Sequence, residues 1–174
     1  GVVDSGFGPE PIIDMGAYER QASTPALTYD LTMGVSGNGS SSPAVGPHTY
    51  DNGSVVAVSA VADSGWQFTG WTGWVADPAS ESTTVTMTWD RTVIANFKQV
   101  QTLTVDVQGS SSGTVTSAPL GISCPGDCDE VYDYDTAVTL STTVDSGTVF
   151  DGWVGGGCLG TDDCQLAMDE DLIV

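Results

Sequence analysis

Four cysteines in two close pairs, Cys124-Pro-Gly-Asp-Cys128 and Cys158-Leu-Gly-Thr-Asp-Asp-Cys164, are the residues of this chain whose spacing most readily suggests chemistry. Four thiolates could ligate zinc. Gaps of three and five residues are, however, looser than the CxxC pair of a structural zinc site, and thiolates would add charge to an already anionic segment. Each pair brackets turn residues, and nothing marks a reducing compartment. Local disulfides Cys124–Cys128 and Cys158–Cys164 are therefore the expected pairing among the three connectivities that four cysteines allow. Closing loops this short contributes about 2 kcal/mol each on the chain-entropy account.

Carboxylates form two further clusters: Asp127, Asp129, Glu130, Asp133 and Asp135, then Asp162, Asp163, Asp169, Glu170 and Asp171. Hard oxygen ligands suit Ca²⁺. Neither cluster has the DxDxDG loop closed by a bidentate Glu, so weak Ca²⁺ binding is the most they suggest, and no cofactor is expected. Catalytic patterns are absent. His48 is the one histidine, it sits in a Gly-Pro-His-Thr sequence read as a turn, and no GxSxG or Cys-His partner accompanies it. A carboxylate pair for glycoside hydrolysis can always be picked from 23 acids and carries no information. The chain is not expected to be an enzyme.

Tryptophan is the remaining residue type that could meet a ligand, and a repeat sorts the five into two kinds. YDNGSVVAVSAVADSGWQFTGW, from Tyr50 to Trp71, lies without gaps on YDYDTAVTLSTTVDSGTVFDGW, from Tyr132 to Trp153, with 10 of 22 positions identical. LTMGVSGNGSSSP (31–43) corresponds to LTVDVQGSSSGTVTSAP (103–119), and VTMTWD (85–90) to LAMDED (166–171). A period this long marks small domains in tandem rather than a solenoid. Phe68 and Trp71 recur as Phe150 and Trp153, which is what a core position demands. Trp66, Trp74 and Trp89 face Thr148, Gly156 and Glu170, so the fold does not require them. They are either extra packing in the copy without cysteines or an exposed aromatic surface for a sugar or a protein.

The elements that hold these residues read as strands. Apolar residues alternate with polar ones at Leu31, Met33, Val35 and again at Leu103, Val105, Val107. Val56, Val58, Ala60 and their partners Val138, Leu140, Thr142 form a second strand, with Ser and Thr on the other face. Trp66 to Trp71, Val85 to Met87, and Val93 to Phe97 complete four or five short strands per copy, with no helix-period segment. Asp63-Ser64-Gly65 and Asp145-Ser146-Gly147 supply turn chemistry between strands two and three. With 22 glycines among 174 residues, the composition also disfavours helices.

Charge excludes some partners. The net charge is −20, and from Gln101 onward there are 13 acids and no Lys or Arg. Such a surface repels nucleic acid and anionic lipid, so neither is expected as a partner. No run of apolar residues is long enough to span a membrane.

The two copies resemble the divergent internalin B-type repeat, or bacterial repeat domain, on the stretches quoted above together with VTMTWDRTVIANF. The SCPGDC and GCLGTDDC inserts look like its cysteine-bearing variety. The resemblance implies a β-grasp-like fold without a helix, and a spacer or adhesive role in secreted or cell-surface proteins, with no catalytic residues. PIIDMGAYER, 11–20, resembles the DxGAYE signature that closes right-handed parallel β-helices, with Met15 where Ile or Leu is usual. The expected organisation is a terminal β-helix rung (1–20), a linker (21–26), repeat one (27–99) and repeat two (100–174). Repeat two stops at DEDLIV where repeat one runs on through DRTVIANF, so about four residues of its last strand are expected to be missing and the chain to be part of a longer protein. The expectation overall is an all-β, extracellular, monomeric stalk or spacer segment. The alternative is a carbohydrate-binding module attached to a polysaccharide-active β-helix.

Overall fold

The computed structural model describes residues 26–109 and 113–174. The expected β-helix rung lies outside the described residues, as does the linker except for Ala26. Among the described residues every regular element is a strand, and no helix is long and apolar enough to cross a membrane. The chain forms two small β domains in tandem, each copy with its own buried cluster.

Repeat one comprises β1 (Thr28–Ser36), β2 (Gly39–Ser42), β3 (Gly46–Asp51), β4 (Val55–Ala62), β5 (Trp66–Thr72), β6 (Ser82–Thr86) and the first half of β7 (Arg91–Thr104). Repeat two takes the second half of β7, then β8 (Gly113–Ala118), β9 (Ser123–Cys124), β10 (Asp129–Asp133), β11 (Ala137–Val144), β12 (Trp153–Gly155), β13 (Cys158–Gly160), β14 (Cys164–Ala167) and β15 (Leu172–Ile173). The two strands expected at 93–97 and 103–107 are thus one strand of 14 residues that ends at Thr104, and the expected boundary at 99/100 falls inside it. No Gly or Pro interrupts Arg91 to Thr104, so nothing breaks the pleat.

The pairing of the first, second-sheet and last strands repeats as the sequence does, whereas β5 pairs β7 and its counterpart β12 pairs β13. In repeat one β1 runs parallel to β7 with Leu31 opposite Arg91, and antiparallel to β3. In repeat two β7 runs parallel to β15 with Leu103 opposite Leu172, and antiparallel to β10. β4 lies between β2 and β6 just as β11 lies between β8 and β14. Along β4 the period-two alternation buries Val56, Val58 and Ala60 while the residues between them face outward. Asp90 accepts the Asp30 N–H at 2.9 Å, and its counterpart Asp171 accepts the Thr102 N–H at 2.7 Å, so this acidic position fastens the first strand in both copies.

His48 lies in β3 opposite Leu31 rather than in a turn. β3 ends its sheet, and an edge strand tolerates the missing N–H of Pro47.

Candidate functional site

The repeated phrase is a turn feeding a core strand. Trp66 N–H donates to Asp63 O at 3.0 Å and Thr148 N–H to Asp145 O at 3.1 Å, with Gly65 and Gly147 at φ +75° and +91°, a conformation that favours glycine. Beyond the turn Trp71 and Trp153 are each 6% exposed. Trp71 Nε1–H donates to Ser80 O at 2.9 Å, and Trp153 Nε1–H to Asp162 O at 2.8 Å. Each indole meets a phenylalanine edge to face: Phe68 with its centroid 5.6 Å away, Phe150 at 5.0 Å. One indole, with one capped N–H and one phenyl neighbour, therefore anchors each core.

The cysteines bond as Cys124–Cys128 and Cys158–Cys164. Both bridges close local loops, and the first lies in a loop that repeat two lengthens. Four residues separate Pro43 from His48, whereas ten separate Pro119 from the corresponding Glu130, and the first bridge closes this longer segment. The second closes the connection after Trp153, where repeat one carries Trp74 and Val75. Cys124, Cys158 and Cys164 are buried in the core of repeat two.

Three of the ten clustered carboxylates have structural partners elsewhere in the chain. Asp129 accepts the Thr104 hydroxyl, Asp133 pairs with Lys98, and Asp171 takes the backbone N–H described above. Among the described residues no three His, Cys, Asp or Glu side chains converge as a metal site requires. His48 Nε2 lies 2.6 Å from Ala44 O, a contact within its own edge strand and the loop before it.

Of the three unrepeated tryptophans, the structure brings two together. Trp74 is 75% exposed and Trp89 52%, and their rings meet edge to face at 6.5 Å. Trp66 is not with them; it is partly buried against the core of repeat one. The sequence reading missed Arg91, whose guanidinium carbon sits 4.3 Å over the Trp89 ring while Nη2–H donates to Thr88 Oγ1. Nothing in the sequence beyond proximity signals the contact: Trp89 lies in the bend before β7 and Arg91 is the first residue of that strand. A cation over an exposed indole contributes about 0.5–1 kcal/mol and fixes the ring plane. The result is a surface corner of two exposed indoles and a guanidinium in a chain that holds three Lys and Arg in all.

The profile of the divergent InlB B-repeat domain matches residues 29–101 and again residues 103–171. The chain belongs to this repeat family. Neither the curated proteins nor the solved structures provide a match. Divergent InlB B-repeats are typical of bacterial surface proteins and are usually non-catalytic. Family and disulfides together point to an extracellular or surface location.

Proposed function

We propose that this pair of InlB B-repeats is a non-catalytic, load-bearing stalk or spacer of a bacterial surface or secreted protein. The observation that carries the reading is the parallel pairing of first and last strands in each copy. β1 and the first half of β7 share six register pairs, from Leu31–Arg91 to Ser36–Asn96, and β7 then passes unbroken into repeat two, where it pairs in parallel with β15. Tension applied to the two ends of a parallel pair shears all its hydrogen bonds together instead of opening them one by one. The shared strand, about 46 Å long at ~3.3 Å per residue, hands that load from one copy to the next without a flexible linker. Single-molecule pulling tests this: the end-to-end direction must be the strong one.

A second reading, sugar binding, is favoured by the Trp74–Trp89 corner alone. Exposed indoles present apolar faces that suit the C–H face of a sugar ring. If it holds, a panel of polysaccharides contains one that quenches indole fluorescence saturably, and Trp74→Ala abolishes the quenching while leaving the melting temperature within the change that about 0.5 kcal/mol produces. Quenching that survives Trp74→Ala and Trp89→Ala together would place binding elsewhere.

A further inference from the structure

Repeat one holds a cation without an acidic partner. Among the described residues Lys98 pairs with Asp133, whereas Arg91 has no carboxylate in ion-pair range, in a chain of 23 acids. Acids on the neighbouring strand and loops have donors of their own: Asp90 accepts the Asp30 N–H at 2.9 Å, Asp30 the Thr49 hydroxyl at 2.7 Å, and Asp77 the Ala79 N–H at 3.0 Å. Arg91 is held by other means. Its guanidinium carbon sits 4.3 Å over the Trp89 ring, Nη2–H donates to Thr88 Oγ1 at 3.2 Å, and Nε is buried with no hydrogen-bond partner. The Nε side is thus closed, and a ligand meets Nη1 and the other Nη2 hydrogen. Two donors on one planar edge match the two oxygens of a carboxylate.

Trp74 supplies the complementary surface. Its ring meets that of Trp89 at 80°. One face of Trp89 is covered by the guanidinium, so the more exposed Trp74 is the open platform, in contact with the ring that carries the fork. The surrounding charge admits an anion here. Residues 27–100 hold six acids with Arg91 and Lys98, whereas 13 acids and no Lys or Arg follow. Gln101, where that acidic half begins, lies about 33 Å along β7 from Arg91 at ~3.3 Å per residue, roughly four Debye lengths at physiological salt.

Resting on the sugar reading of this corner, we propose that its ligand is a sugar residue carrying a carboxylate, the repeating unit of a polyuronate. Trp74 stacks on the C–H face of the sugar ring. Arg91 donates Nη1–H and Nη2–H to the two carboxylate oxygens, and Trp89 holds the guanidinium plane in place. A neutral sugar would occupy Trp74 and leave the fork to water. One fork per corner recognises one carboxylate, so affinity comes from the stacked ring and a single charge-assisted pair, not from neutralising a polyanion; nucleic acid and anionic lipid stay excluded.

Indole fluorescence of the intact, oxidised chain tests this, with hexamers of galacturonate, mannuronate and guluronate as probes and the carboxyl-reduced neutral form of each beside it. At least one uronate is expected to quench saturably, and its neutral form to bind about tenfold more weakly, since a hydrogen bond to a charged group is lost. Arg91→Lys, which keeps the charge and removes the fork, should erase most of that difference with the melting temperature recorded alongside. Equal binding of charged and neutral forms by the unsubstituted chain, or a preference that survives Arg91→Lys and Arg91→Gln, overturns the proposal and leaves the sugar reading standing. Quenching by none of the six also overturns it; the wider polysaccharide panel then decides whether the sugar reading falls as well. Binding of a glutamate-rich peptide and not of the uronates would assign the corner to protein and overturn both.

Discussion

Trp71→Ala and Trp153→Ala each unfold their own repeat, at a cost of about 3–5 kcal/mol, the range for truncating a buried aromatic side chain. Each change removes the largest side chain of its cluster, deletes an edge-to-face phenylalanine contact, and leaves Ser80 O or Asp162 O without its indole donor. A domain of some 70 residues is stable by only about 4–10 kcal/mol, so the loss consumes much or all of it. The two cores share no residue, so each truncation acts directly on one core, with β7 as the strand common to both. The Lys98–Asp133 pair across the junction is partly exposed and contributes at most about 1 kcal/mol of coupling. Chemical denaturation of the two variants checks this. Small and equal effects at Trp71, Trp153 and the exposed Trp74 would show that recurrence in both copies does not mark the core.

Reduction is expected to lower the melting temperature of repeat two and to leave repeat one unchanged. Each bridge closes a short loop, with separations of 4 and 6 residues. The loss of either, about 2 kcal/mol, corresponds to roughly 8–16 °C for a domain of this size. Reduction is a cleaner probe than substitution by serine, because three of the four sulfurs are buried and a hydroxyl there would add a desolvation cost of its own. Differential scanning calorimetry with and without reductant separates the copies, since every cysteine belongs to repeat two. A shift in the transition of repeat one, or none in that of repeat two, would contradict the account.

Much of the scaffold is legible because the chain states it twice. Trp71 and Trp153 sit in the same surroundings, and Asp63-Ser64-Gly65 turns as Asp145-Ser146-Gly147 does, since a residue needed by the fold recurs wherever the fold recurs. Repetition also misleads. Aligning the copies invites a cut between them, and that cut hid β7, whose alternation runs from Arg91 to Thr104 with no turn residue to stop it. Pro47 made the segment around His48 read as a turn, because an edge position, which excuses the missing donor, is a property of the assembled sheet. The meeting of Trp74 with Trp89 is likewise invisible in one dimension: the residues lie in different loops, and only the packed sheets bring those loops together. Pairing of cysteines across short turns is the opposite case, where the chain between the two sulfurs is too short to carry them far apart.

The central claim is that each repeat bears load through its parallel first and last strands. The most direct measurement compares two pulling directions on repeat one in the intact chain. Handles at Thr28 and Lys98 load β1 against β7 in shear along the six register pairs; handles at Ser36 and Lys98 grip neighbouring ends of the same two strands and peel them apart. The account predicts a clearly higher rupture force at matched loading rate for the first geometry, with release of about 70 residues at ~3.5 Å each in one step. Equal forces in the two geometries, or gradual extension without a rupture when the chain is pulled from Thr28, would contradict it.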